Sequence, residues 1–215
     1  HKEYRRQRQM CIRDRSYGII VNIDKCVGCH ACAIACKEEN QVAPGIFYEK
    51  IQRLEDAKAN VINYFRASCQ HCDNPACMKV CPAKAIHKGP AGEVLVDEEK
   101  CIGCQMCARV CPYGVPQFNT SGVTNYFGDK APLAIRDLEP WQKHKAGRAE
   151  HCTLCTHRTS KGLKPACVEA CGIGAMTLVD YESPTPEMEK LIAQAKAMNV
   201  KAGTKPKIRY IATHM

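Results

Sequence analysis

The sequence is poor in aromatic residues and in long apolar runs. Phe, Tyr and Trp make up 6% of its 215 residues, and there is a single Trp. A chain of this length holds one or two domains, but so few large side chains exclude an ordinary large hydrophobic core. No run of 18 or more apolar residues occurs, so we expect no membrane-spanning helix.

Patterns typical of catalytic sites are also missing. The sequence contains no nucleophile paired with a base, no glycine-rich phosphate loop and no pair of acidic residues suited to acid–base catalysis. We therefore expect no catalytic residues on this chain. Any turnover of a substrate would take place on a partner.

Cysteine, in contrast, is abundant, with 17 residues, and all except Cys11 fall into four quartets. Two quartets have the spacing C-x2-C-x2-C-x3-C, one has C-x2-C-x4-C-x3-C, and the last has a longer central gap. In chain order they are Cys26, Cys29, Cys32, Cys36; Cys69, Cys72, Cys77, Cys81; Cys101, Cys104, Cys107, Cys111; and Cys152, Cys155, Cys167, Cys171. Four thiolates bind one 4Fe–4S cluster, and such spacings are typical of bacterial ferredoxins. The sequence therefore predicts four 4Fe–4S clusters.

Three other uses of cysteine fit the pattern less well. Structural zinc sites also use C-x2-C pairs, but a third thiolate at C-x2-C-x2-C is awkward for one tetrahedral ion. A disulfide framework would need the loop lengths of secreted scaffolds. The segment from Cys26 to His30 matches the C-x-x-C-H haem motif, but haem attachment there would leave Cys32 and Cys36 unused.

The formal net charge of +9 is largely offset by the predicted cofactors. An oxidised cubane with its four thiolates carries about −2, so four of them contribute about −8. The basic residues are not interleaved with aromatic ones, as they are in many nucleic-acid-binding surfaces. We therefore expect no nucleic-acid partner.

Residues that surround the cysteines suit a cluster loop. Gly28 and Gly103 allow turns with positive φ. Four basic residues flank the predicted ligands, namely Lys25, Lys37, Lys100 and Arg109. Their charges either raise the reduction potentials of the clusters or are solvated, and the sequence is compatible with both.

The quartets follow a doubled pattern, because the first resembles the third and the second resembles the fourth. The sequence therefore predicts an α+β fold of duplicated ferredoxin-like units, with short strands and helices around four cubanes, an insertion and a C-terminal helix. The expected divisions are 16–112 and 151–182 as an interleaved cluster-binding region, 113–150 as an insertion that contacts another subunit, and 183–215 as a C-terminal helix and basic tail.

Residues 1–15 differ from the rest of the chain. The segment Gln9–Arg15 reads QMCIRDR, which back-translates to a transposon end sequence used to prepare sequencing libraries. We interpret 1–15 as a non-native tail, in which Cys11 is not a ligand.

Local patterns predict several elements. Alternating apolar residues predict a strand at Ser16–Asp24, and similar patterns predict strands at Asn60–Ser68 and Val94–Asp97. Short helices are expected at Cys32–Asn40 and Cys107–Cys111.

A further helix is expected near the C-terminus. Thr185 would cap it and Pro186 would be its first residue. One face would carry Met188, Leu191, Ile192, Ala195 and Met198. The basic segment Lys201–Arg209 is expected to be solvated or to contact a partner.

The chain resembles the four-cluster ferredoxin-like electron-transfer subunits, the beta subunits, of dimethyl sulfoxide reductase-type molybdopterin oxidoreductases. The resemblance covers Tyr17 to about Tyr181 and rests on the motifs CVGCHACAIAC, CQHCDNPACMKVCP, CIGCQMCARVCPYGVPQ and CTLCTHRTSKGLKPACVEAC. It implies transfer of single electrons between a quinone-linked membrane partner and a molybdopterin (Mo or W) catalytic subunit in anaerobic respiration. It also implies a peripheral position in a membrane-associated complex, on either the periplasmic or the cytoplasmic face.

The resemblance further implies that each cluster takes its last ligand from another quartet. The sets would be Cys26, Cys29, Cys32 with Cys171; Cys152, Cys155, Cys167 with Cys36; Cys69, Cys72, Cys77 with Cys111; and Cys101, Cys104, Cys107 with Cys81. The Cys26 cluster would lie nearest the catalytic subunit and the Cys101 cluster nearest the membrane. Three alternatives stay open: an electron-transfer subunit of a nitrite reductase pathway or hydrogenase-type complex, a free-standing polyferredoxin, and a zinc-binding structural protein.

Overall fold

A computed structural model of the chain describes residues 15–57, 60–124, 126 and 138–213. Within these ranges, strands β1–β10 lie at Tyr17–Asn22, Glu49–Asp56, Val61–Ser68, Ile86–Lys88, Val94–Val96, Gln117–Phe118, Ala149–Glu150, Met176–Asp180, Lys196–Ala197 and Arg209–Ile211. Helices α1–α6 lie at Ala31–Asn40, Ala76–Lys79, Met106–Val110, Thr156–Thr159, Ala166–Glu169 and Pro186–Gln194. The fold is therefore a mixed α/β arrangement of short elements. Cys11 and nearly all of the predicted tail 1–15 lie outside the described residues.

The largest sheet has four strands in the order β8-β1-β10-β9. Strand β1 pairs antiparallel with β8 and parallel with β10, so that strands from the C-terminal part of the chain enclose it on both sides. Its alternating residues Tyr17, Ile19 and Val21 are in the hydrophobic core together with Ile23. The predicted strand is confirmed, and the alternating pattern correctly identified its core face.

The small β4–β5 sheet repeats part of this geometry. In both places an alanine lies four residues after the last cysteine of a quartet, and its N–H donates to the sulfur of that cysteine. Ala85 donates to Cys81 and Ala175 donates to Cys171, each at 3.3 Å. The alanine carbonyls then accept from Asp97 at 2.8 Å and Asn22 at 2.7 Å. The strand that follows each alanine runs antiparallel to a strand that leads into another quartet.

The β2–β3 pair is the longest antiparallel ladder and runs from Glu49 opposite Ser68 to Asp56 opposite Val61. The end that carries Glu49 and Ser68 is buried, whereas Leu54 and Ile62 near the other end are about half exposed. The strand predicted at Asn60–Ser68 is thus present. It leads directly into the second quartet.

Helices α1 and α3 begin close to the predicted positions. Both start immediately after a residue in the left-handed conformation, His30 with φ 61° and Gln105 with φ 60°. His30 is exposed.

The C-terminal segment departs from the expectation. Thr185 caps α6 by accepting from the Met188 N–H at 3.4 Å, as predicted. The helix ends at Gln194, so that the predicted apolar face stops before Ala195 and Met198.

The prediction that Lys201–Arg209 is solvated or contacts a partner is wrong for the buried part of this segment, although Lys201 and Lys205 are exposed. Thr204, Lys207 and Ile208 are buried, and β10 occupies an inner position of the main sheet. The reason is that Ile208 and Tyr210 bring apolar side chains into the core, and the Lys207 ammonium donates to the Gly92 carbonyl at 3.2 Å.

The predicted insertion is closed at its ends by the β6–β7 pair, in which Gln117 lies opposite Glu150. Residues 125 and 127–137 of the insertion lie outside the described part of the chain. Within the described residues, no helix is both long and apolar enough to cross a lipid bilayer.

Candidate cluster-binding sites

Two cavities are lined by four cysteines each. The first is lined by Cys26, Cys29, Cys32 and Cys171, together with Gly28 and Arg66 among others. The second is lined by Cys81, Cys101, Cys104 and Cys107. In each cavity, three cysteines come from one quartet and the fourth is the last cysteine of a distant quartet.

The remaining eight cysteines form two further groups, in which neighbouring thiols shift one another's pKa. Burial raises the pKa of Cys36 well above its ordinary value, and Glu49 and the thiols of Cys152, Cys167 and Cys155 raise it further. Burial likewise raises the pKa of Cys77 to about 12, with added effects from Cys69, Cys111, Cys72 and, last, Cys107. Cys36 is therefore close to the fourth quartet, and Cys111 is close to the second.

A bound cation would change the charge state of these thiols. Burial raises the pKa of Cys32, Cys69 and Cys155 to about 12, so these thiols are neutral without metal. A buried thiolate requires compensation of its charge, which iron supplies when it displaces the proton. Within the described residues no three His, Cys, Asp or Glu side chains are arranged to hold one metal ion. Eight of the cysteines line the two cavities instead.

The glycines predicted to turn the loops have positive φ, 67° at Gly28 and 70° at Gly103. A Cβ atom at Gly28 would overlap the ring of Tyr64, and one at Gly103 would overlap the carbonyl oxygen of Gly147. Both positions therefore require glycine for conformation and for space.

Backbone N–H groups point at several sulfurs. Besides Ala85 and Ala175, the N–H of Leu154 donates to Cys152 at 3.4 Å and that of Ala149 to Cys101 at 3.5 Å. Such hydrogen bonds stabilise negative charge on sulfur and belong to the means by which a protein adjusts a cluster's potential.

The four basic residues that flank the ligands are not inside the cavities. Lys25 and Arg109 are exposed, and Lys100 pairs with Asp97 at 2.8 Å with most of its side chain in solvent. Lys37 donates to the carbonyls of Val42, Ala43 and Ile46, three hydrogen bonds that hold the loop after α1.

A buried ion pair is the feature that sequence reasoning missed. Arg66 on β3 is 1% exposed and Glu49 on β2 is 2% exposed, and the Arg66 Nε donates to Glu49. One terminal nitrogen of Arg66 donates to Ser68 at 2.6 Å, and the other donates to the Cys167 sulfur at 3.8 Å. The one sequence feature that could have indicated it is a single arginine in a strand that ends just before a cysteine quartet.

Two buried histidines next to the quartets were also missed. The Val94 N–H donates to Nδ1 of His71 at 3.1 Å, so the proton of the neutral ring is assigned to Nε2. Burial, together with the charge of nearby His151, lowers the pKa of His71. Within the described residues Nε2 of His71 and Nε2 of His151 have no partner.

Only two of the described cysteines are exposed, Cys29 in the first cavity and Cys104 in the second. Large apolar side chains close to them in sequence are also exposed: Val27 and Ile34 near Cys29, and Ile102 and Met106 near Cys104. Each cavity thus has one exposed cysteine, with exposed apolar residues close to it in sequence.

Comparison with known proteins identifies the family of the chain. The family profile described as a 4Fe-4S dicluster domain matches residues 60–126 and 132–181. The chain is 35% identical to the arsenate respiratory reductase iron-sulfur subunit of Shewanella sp. strain ANA-3, over 90% of this chain and 95% of that protein. It is 33% identical to a subunit of the selenate reductase of Mesobacillus selenatarsenatis, over 97% of this chain and 76% of that one. Identity to a subunit of the anaerobic dimethyl sulfoxide reductase of Escherichia coli is 34%, with 81% and 76% covered.

Proposed function

This protein is a member of the 4Fe-4S dicluster domain family, and on that premise we propose that it is the electron-transfer iron–sulfur subunit of a molybdopterin reductase complex. One observation carries the proposal: two cavities are each lined by three cysteines of one quartet and the last cysteine of another. The relatives are subunits of reductases for arsenate, selenate and dimethyl sulfoxide, so the proposal specifies the role of the subunit and leaves the substrate to the partner.

All four quartets take part in the proposed ligand sets. These sets are Cys26, Cys29, Cys32 with Cys171; Cys81 with Cys101, Cys104, Cys107; Cys36 with Cys152, Cys155, Cys167; and Cys69, Cys72, Cys77 with Cys111. The two cavities support the first two sets, and the electrostatic contacts of Cys36 and Cys77 support the others. When bound, each 4Fe–4S cluster accepts and releases one electron at a time.

The chain's own residues would hold these centres and insulate them. Thiolates would bind the iron, N–H groups such as those of Ala85 and Ala175 would stabilise the charge on sulfur, and the cysteines that pack within the hydrophobic core would join the iron–sulfur sites to it. Burial keeps water away from most of the fourth quartet. Cys29 and Cys104 are the points at which electrons would enter and leave, because only these described ligands are exposed.

We also propose that the protein is built from two ferredoxin-like units. One contains the first and fourth quartets with the β1–β8 pair, and the other contains the second and third with β4–β5. The matched hydrogen bonds of Ala85 with Asp97 and of Ala175 with Asn22 support this division.

The Cys29 end would face the molybdopterin subunit and the Cys104 end a quinone-linked membrane partner, so that the protein is peripheral to the membrane. The exposed apolar side chains at both ends support two subunit contacts, because large exposed apolar patches mark interaction sites.

The test is anaerobic purification of the complex from its native host, followed by iron analysis and EPR spectroscopy. We expect about 16 iron atoms per chain, from four clusters of four, and co-purification with a molybdenum- or tungsten-containing subunit. About 8 iron atoms in a fully loaded protein, or zinc in place of iron, would refute the proposal.

A further inference from the structure

The Arg66–Glu49 ion pair has no evident role in stability. A buried pair of opposite charges contributes little to the free energy of unfolding, because desolvation of the two charges costs about as much as their attraction provides. Apolar residues of similar size often give a more stable protein. The pair lies at the buried end of the β2–β3 ladder, where Phe65 and Tyr210 stack with ring centroids 4.7 Å apart. Apolar side chains would fit this environment.

The position of Arg66 indicates another role. Arg66 lines the cavity of Cys26, Cys29, Cys32 and Cys171. One of its terminal nitrogens also donates to the sulfur of Cys167, which belongs to the proposed Cys36, Cys152, Cys155 and Cys167 set. A single buried guanidinium therefore contacts two of the proposed cluster sites.

Glu49 is placed to oppose this cation. Its carboxylate accepts from the Arg66 Nε, and both side chains are buried. The second carboxylate oxygen of Glu49, Oε1, has no hydrogen-bond partner within the described residues. The anion therefore lies against the same cation that contacts the two sites.

We propose that Arg66 is a positioning residue that raises the reduction potentials of the clusters held by the Cys26 set and the Cys152 set, and that Glu49 limits this effect. The inference rests on the proposed function. Reduction adds one negative charge to a site, and a fixed cation nearby stabilises the reduced state, most strongly where little water screens it. Arginine suits this role because its guanidinium keeps its charge at every physiological pH.

The experiment is an EPR-monitored redox titration of the intact complex with three variants. Arg66→Gln removes the cation, and we expect the midpoint potentials of both clusters to shift to lower values. Glu49→Gln removes the opposing charge, and we expect both to shift to higher values. Arg66→Lys keeps a positive charge and should restore most of the wild-type potentials.

Two controls separate this effect from general damage. Arg53→Gln makes the same change of charge on the same strand pair, but Arg53 is more than half exposed and its pair with Glu55 is in solvent, so no potential should move. The cluster of the Cys101 set is the internal reference, because Arg66 does not line its cavity. The signals of the two ends are assigned with Cys29→Ser and Cys104→Ser complexes.

Shifts of opposite sign in Arg66→Gln and Glu49→Gln, confined to clusters near the pair, support the inference. Unchanged potentials in fully loaded variants, or equal shifts in all four clusters, overturn it. If Arg66→Gln does not assemble, the sign of the shift in Glu49→Gln decides. A wild-type complex without four clusters would instead refute the proposed function, which the iron content distinguishes.

Discussion

The indole ring of Trp141 stacks on the imidazole ring of His157, with centroids 4.5 Å apart and planes 6° apart. This contact joins the insertion to α4, next to the fourth quartet. Gln142 adds a hydrogen bond to the carbonyl of Glu39 on α1 at 3.0 Å. The single Trp of the chain therefore packs against its own subunit, although the sequence indicated the insertion as a contact surface for another.

Replacement of Trp141 should loosen the insertion. We expect Trp141→Ala to destabilise the loaded protein by about 1–2 kcal/mol, because the stacked pair and part of its apolar burial are lost. Trp141→Phe, which can still stack, should retain most of the stability. Anaerobic urea unfolding followed by cluster absorbance measures both. Equal losses in the two variants would show that stacking is not the cause.

Gly28 should tolerate no side chain. Gly28→Ala places a Cβ on the ring of Tyr64 at a φ of 67°, so we expect lower cluster occupancy and a loss larger than the roughly 1–2 kcal/mol of left-handed strain alone. Gly45→Ala is the matched control, because Gly45 has a φ of 79° but no atom within 4 Å of an added Cβ. Iron content and thermal unfolding compare the two. Similar behaviour of both variants would contradict the steric argument.

The C-terminal segment should behave as core. Ile208 is completely buried, so we expect Ile208→Ala to cost about 2–5 kcal/mol through lost burial and a cavity. Val200, 70% exposed in the same segment, gives the control Val200→Ala, which should change stability by less than about 0.5 kcal/mol. If urea unfolding shows a small effect for Ile208→Ala, β10 is not part of the stable sheet.

The stability of the insertion should depend on pH through His144. Burial lowers the pKa of this histidine. Hydrogen bonds with Glu98 and with the Asn40 carbonyl, together with the charge of Glu150, raise it by more. The folded-state pKa of His144 is therefore above the ordinary value. A raised pKa gives stability that is complete below the unfolded value of about 6.5 and is lost as pH rises through the folded value.

We therefore expect the unfolding midpoint to fall as pH rises from about 6.5 through the folded-state pKa of His144. The variant His144→Gln cannot be protonated in this range and should show a flatter profile, as measured by urea unfolding at several pH values. An equally steep decline in the variant would assign the dependence to other groups.

Local features were predictable because they depend on neighbouring residues. The quartets, the strand at Tyr17–Asn22, the helix cap at Thr185 and the turns at Gly28 and Gly103 all follow from short patterns. The basic residues of 201–209 led to the wrong expectation for its buried part. Charge within a segment does not show that Ile208, and Tyr210 just beyond the segment, lie in the core next to β1. That depends on a parallel pairing between strands at opposite ends of the chain.

The sequence by itself determined the number of cysteine quartets and the loops that carry them, since short spacings between cysteines fix how thiols lie around one turn of backbone. The family resemblance implied that Cys171 joins the Cys26 set, and the tertiary structure brings both into one cavity beside the pairing of β1 with β8. Only the tertiary structure placed Arg66 and Glu49 in the interior. A charge acts on a cluster according to its distance and to the water between them, and neither is encoded by position along the chain.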